Sequence, residues 1–109
     1  MENSMAGKTV LYIVKSVIDK KHAEAFNRWY HEKHIPELQE LSGCSSARRF
    51  EVIDGEDKFT YMAVYEFESK EKFLKYQGSE GKKGLIADYR QNFGEIAELQ
   101  FSSWEQIFP

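Results

Sequence analysis

Two side chains able to move a proton stand four residues apart in the segment Trp29-Tyr30-His31-Glu32-Lys33-His34-Ile35-Pro36. A helix presents residues at that spacing on one face. An imidazole titrates near neutrality and a phenol donates a hydrogen bond. Tyr30 and His34 therefore suit proton abstraction or shuttling on a bound carbonyl or phenol, with His34 as base and Tyr30 as donor. The competing reading is a histidine hydrogen-bonded inside the fold, near the backbone carbonyl that Pro36 leaves free. His31 and His34 are three residues apart, but the run is HEKH rather than the HExxH of zinc proteases. No metal site is expected, and His31 and His22 are expected to face solvent.

Arg48 and Arg49 are adjacent, so a strand turns them to opposite faces. One of the two can bind a carboxylate or enolate in a pocket. Arg49 is taken as the candidate, although only a firm register decides between them. Tyr12, Tyr61 and Tyr65, with Trp29, are candidates for lining a cavity and orienting a ring; packing in the core or a subunit interface is the alternative. Cys44 has no base at readable spacing and is read as a free structural thiol. Gly78-Ser79-Glu80-Gly81-Lys82-Lys83-Gly84 fails the spacing of a phosphate-binding loop and follows a helix, so it is read as a mobile loop over a pocket mouth.

The elements that must position these groups are legible in outline. Residues 9–17, TVLYIVKSV, are apolar at both parities up to Lys15, as in a central strand covered on both faces. Residues 20–41 carry Ala23, Phe26, Tyr30, His34, Leu38 and Leu41 on one helical face, with Asp19 at the N-cap and Gly43 ending the helix. Pro36 predicts a kink or a second helical piece after His34 or Ile35. Residues 45–53 and 59–67 read as a hairpin around the turn Asp54-Gly55-Glu56-Asp57. Ser69 caps a helix through Tyr76, Gly78 to Gly84 interrupt it, and a further piece covers 85–93. A last strand spans 98–107. The order β-α-β-β-α-β predicts an α+β, ferredoxin-like four-stranded antiparallel sheet with helices on one face.

The 109 residues make one domain over 9–109, with 1–8 expected as a frayed tail. One cysteine excludes an intrachain disulfide and fits a reducing, cytoplasmic compartment. A net charge of −3 argues against nucleic acid, and no apolar run is long enough for a membrane span. Helices cover one face of such a sheet, yet Leu11, Ile13, Met62, Val64 and Trp104 leave the other face apolar as well. A second copy of the chain is expected to cover it, as a homodimer.

The run Phe26-x-x-Trp29-Tyr30-x-x-x-His34-Ile35-Pro36, then Leu38, Leu41 and Gly43, then Ala47-Arg48-Arg49-Phe50 and Tyr61-x-Ala63-x-Tyr65-x-Phe67, resembles the dimeric α/β-barrel superfamily, particularly its EthD-like members. The resemblance covers about residues 9–107. It implies pairing as a dimeric α/β barrel, with a pocket in each subunit between helices and sheet, fitted to a small aromatic or hydrophobic compound. The superfamily includes cofactor-free monooxygenases, isomerases, cyclases, dehydratases, haem-degrading enzymes and proteins with no known reaction. Proton-transfer chemistry without a cofactor is the expectation here. A non-catalytic ligand-binding protein is the alternative. A cofactor-free monooxygenase comes next, for which Trp29 and Trp104 match by residue type.

Overall fold

The computed structural model describes residues 8–109, so most of the expected tail lies outside the described residues. Its elements are β1 (Val10–Ile18), α1 (Lys20–Trp29), a π-helical turn (Tyr30–His34), α2 (Ile35–Ser42), β2 (Ser46–Glu51), β3 (Tyr61–Phe67), α3 (Lys70–Gln77), α4 (Glu80–Phe93) and β4 (Ala97–Glu105). The strands form one antiparallel sheet in the order β2-β3-β1-β4, which is the ferredoxin-like arrangement.

Burial alternates strictly along β1. Val10, Tyr12, Val14, Ser16 and Ile18 are buried beneath the helices, and Leu11, Ile13, Lys15 and Val17 face the other way. Tyr61, Ala63, Tyr65 and Phe67 pair with β1 residues of the covered face, as do Leu99 and Phe101. The core is mostly aromatic: Tyr12 packs on Tyr65, Phe73 and Tyr76, while Phe26 meets Tyr30, Tyr89 and Phe93 edge-on. Edge-on contact sets the positive ring edge against a negative face, which adds to what area burial supplies.

The opposite face carries Leu11, Ile13, Val17, Phe50, Met62 and Trp104, with Trp104 62% exposed. Ion pairs lie around it: Lys15–Asp57 at 2.7 Å, Arg48–Glu66 at 3.7 Å and Lys58–Glu98 at 2.7 Å. The chain is a two-layer slab of 51 × 34 × 19 Å. Its radius of gyration, 14.9 Å, exceeds the value of about 13 Å usual for this length.

Five sequence expectations change. The helix does widen ahead of Pro36, but over a whole π-helical turn, and the backbone stays helical through the junction into α2, so Pro36 removes one donor without breaking the helix. Leu41 leaves the buried face and lies half-exposed against Gly81, where a Cβ would come within 2.8 Å of its side chain. The expected mobile loop is instead the start of α4, because Ser79 caps Lys82 N–H at 3.1 Å and Gly81 gives Leu41 its space. The hairpin strands are shorter than read, ending at Glu51 and resuming at Tyr61, and Phe59 is buried outside the ladder. Asp19 occupies the N-cap position without a capping side-chain hydrogen bond, whereas Ser69 caps Lys72 N–H at 3.2 Å.

Candidate functional site

Phe26, Tyr30, His34 and Leu38 follow one another at four-residue steps, and all four are buried. On a helix of 3.6 residues per turn, that repeat drifts by about 40° per step. The wider π turn, which contains both Tyr30 and His34, takes back part of that drift and keeps the residues in one line toward the sheet.

His34 is 7% exposed. Its ring stacks on Trp29, with centroids 4.7 Å apart and planes 19° apart, and meets Tyr30 edge-on at 5.1 Å. Burial pushes the imidazole down to about 4, against a weaker upward pull from Asp88 and Glu37. At neutral pH it is therefore an uncharged ring able to accept a proton. Its Nδ1 is buried and makes no hydrogen bond, so the internally bonded histidine of the competing reading does not form at that nitrogen.

A chamber of about 20 Å³ lies beside His34, walled by Tyr12, Tyr30, Tyr65, Tyr76 and Tyr89. It has room for one water-sized group. Burial raises all five phenols: Tyr30 goes up to about 12, with Arg49 opposing the rise, and the others go higher. They are neutral hydrogen-bond donors at any physiological pH. The hydroxyls of Tyr65 and Tyr89 are buried and, like His34 Nδ1, have no partner.

The strand register settles the arginines. Arg49 pairs with Ala63 on the covered face, whereas Arg48 pairs with Val64 on the open one. Arg49 lies over the Tyr30 ring at 4.2 Å and the Tyr61 ring at 5.0 Å. It donates to Asn27 Oδ1 at 2.6 Å and approaches His31 Nε2 at 3.3 Å. Asn27 in turn donates to the Tyr61 hydroxyl at 3.3 Å. His31 is thus exposed but placed against Arg49. Among the described residues no carboxylate pairs with Arg49, and its Nε and Nη2 are buried and unbonded.

The chamber therefore brings together Tyr12, Tyr30, His34 and Tyr65. Trp29 backs His34 from outside it, and Arg49 and Tyr61 lie beyond Tyr30. Beside the chamber lies a cleft of about 400 Å³ between α4 and β4, and Ile86, Tyr89, Leu99 and Phe101 line both. That volume is in the range of small-molecule sites. Lys82 and Arg90 complete the cleft. Sequence reasoning missed these residues because Gly81 and Gly84 disguised α4; the four-residue repeat Lys82, Ile86, Arg90 was the signal available. Cys44, just after α2, is a buried free thiol raised by burial. No group of residues able to hold a metal ion occurs among the described residues.

Residues 9–103 match the family model described as a domain of unknown function, DUF4286. The chain belongs to the DUF4286 family. No curated protein matches the DUF4286 chain. Its fold is shared with an EthD family protein from Bacillus halodurans (18% identity, 87% of this chain and 96% of that one, TM-score 0.64). It is also similar to a hydroxynitrile lyase from Passiflora edulis (15%, 94% and 98%, TM-score 0.70). A third similar structure is SnoaB, a cofactor-independent oxygenase from Streptomyces nogalater, solved as its N63A mutant (9%, 93% and 95%, TM-score 0.63). At these identities the likeness is one of fold: this DUF4286 chain shares the ferredoxin-like arrangement of those three proteins. No helix of its described residues is long and apolar enough to cross a membrane.

Proposed function

We propose that this DUF4286 protein binds a small hydrophobic carbonyl compound in the α4–β4 cleft and performs cofactor-independent proton transfer on it. His34 is the acceptor and the surrounding phenols, Tyr30 first, are the donors. The observation that carries this reading is the set of three unpartnered polar atoms, His34 Nδ1, Tyr65 Oη and Tyr89 Oη, in residues lining one small chamber at the end of an apolar cleft. Each unsatisfied buried group costs about 1–3 kcal/mol. Phenylalanine at 65 and 89 would fill the same space without that penalty. A ligand oxygen entering the chamber gives the phenols an acceptor, and the chamber's size admits little else. Charge developing on that oxygen in an enolate is stabilised by donors already in place. A neutral imidazole beside it takes the proton. Two enzymes of the same fold, the hydroxynitrile lyase and the cofactor-independent oxygenase, favour a catalytic reading over a purely structural one.

A second reading, ligand binding without turnover, is favoured by the low His34 pKa, which makes the empty-site imidazole a weak base. The bicyclic ketone 2-tetralone in heavy water separates the two. Exchange of its α-protons, followed by NMR, should be accelerated by the wild-type protein and lose roughly tenfold or more in His34→Gln. Binding without exchange supports the second reading; neither binding nor exchange refutes both. Oxygen consumption with an anthrone-type substrate would instead mark oxygenase chemistry.

The open sheet face, apolar at its centre and charged at its rim, has the pattern of a subunit interface, and we take the working unit to be a homodimer. The helix-side cleft lies on the other layer and stays accessible in that arrangement.

A further inference from the structure

We infer that the cleft selects an organic carboxylate, held between Lys82 and Arg90 with its apolar body against Ile86, Leu99 and Phe101. This rests on the cleft being the binding site, and adds the charge and polarity of what enters it.

Lys82, Ile86 and Arg90 are successive four-residue steps on α4. The two cations therefore share a face, with their Cα atoms about 12 Å apart along the axis and Ile86 between them. Both line the cleft, and both also line the neighbouring depression above it with Gln77 and Lys83. Neither has an acidic partner among the described residues: Lys82 donates to the amide oxygen of Gln77, and its ammonium lies over the Tyr12 ring at 5.2 Å. Lys83, by contrast, is paired with Glu80 at 3.1 Å, and Lys33 with Glu37 and Asp88. No Asp or Glu lines the cleft.

In a chain of net charge −3, two uncompensated cations at the rim of an apolar cleft are a local reversal of sign. Low-dielectric walls focus such a field toward an entering anion. Burial lowers the Lys82 ammonium, which an incoming carboxylate would counter. The floor below the cations is aliphatic and aromatic and leads to the chamber, so the ligand extends from charged head to apolar body. The chain of residues also gives the order of approach: capture at the rim, then entry of the uncharged end toward Tyr89 and His34.

The test uses a matched pair of probes, 2-naphthoate and its neutral amide, 2-naphthamide, titrated calorimetrically into the full chain. The wild-type protein should bind naphthoate roughly tenfold more tightly than naphthamide. That preference should shrink when salt is raised from about 10 to 150 mM. In the Lys82→Gln/Arg90→Gln double variant that preference should be lost, whatever the affinity for naphthamide becomes. Arg90→Gln alone, at an exposed position, should lose part of it and guards against a folding defect at Lys82. Equal affinities in the wild type, or a preference that survives the double substitution, overturn the inference while leaving the cleft as a binding site. If neither probe binds the wild type, the cleft reading itself falls, and this inference with it.

Discussion

Acidification should destabilise this protein through His34, by an amount that follows from the burial of one ring. The imidazole falls from 6.5 to about 4 because its charged form is desolvated beside Trp29 and Tyr30. Between those two values the unfolded chain binds a proton at this residue and the folded chain does not. Stability is thus fully present above the unfolded value and is lost as pH falls toward the folded one. At pH 5 the deficit relative to pH 8 is about 2 kcal/mol, and it levels off near 3 kcal/mol below pH 4. His34→Gln has no such titration, so its urea-unfolding free energy should depend less on pH by that amount, at a fixed protein concentration. Carboxylates contribute to both proteins and cancel in the comparison. The ring proton of His34, followed by NMR, should move with a midpoint near 4 rather than 6.5. Parallel stability profiles for the two proteins, or a midpoint near 6.5, would refute the account of His34 as a desolvated neutral base.

Three further outcomes follow from specific contacts. Gly84 lies inside α4 with open space where an alanine methyl would stand, so Gly84→Ala should stabilise the fold by about 1 kcal/mol in denaturant titrations; destabilisation would mean the segment is not helical. Arg49→Met keeps an unbranched apolar stem but removes the cation over Tyr30 and the bond to Asn27, and should cost about 2 kcal/mol of thermal stability at neutral pH, with Arg49→Lys recovering only part. Ile13→Glu places a charge at the centre of the open sheet face, and sedimentation should record a shift from dimer to monomer; a wild-type monomer at micromolar concentration would sink the homodimer proposal.

The fold was legible because each clue was local. The apolar run of β1, the Phe26–Tyr30–His34–Leu38 face, the Gly43 stop and the Ser69 cap each depend on neighbours in sequence. What was not legible depended on pairing across the sheet or between helices. Arg48 and Arg49 are equivalent until Ala63 is known to face the second of them. The start of α4 carries two glycines, whose weak helix propensity argues for a loop. The Ser79 cap and the fit of Leu41 over Gly81 override that propensity. Reading that first turn as a loop detached Lys82 from the face it shares with Ile86 and Arg90, and so hid one wall of the cleft. The Tyr30–His34 pair was visible from spacing, but the loss of charge on His34 was not, because desolvation is set by Trp29 and Tyr89 packing around it.

The π-helical turn at Tyr30–His34 makes this stretch unusually tolerant of a change in chain length. A π turn holds about one residue more than the α-helical turn it replaces, so deleting a single residue there can restore a regular helix without breaking it. The wider turn and the narrower one sweep nearly the same angle, so α2 would keep its phase, Leu38 its place in the core and Leu41 its seat over Gly81. A one-residue deletion inside α4 meets no such reserve and would turn the rest of that helix by about 100°.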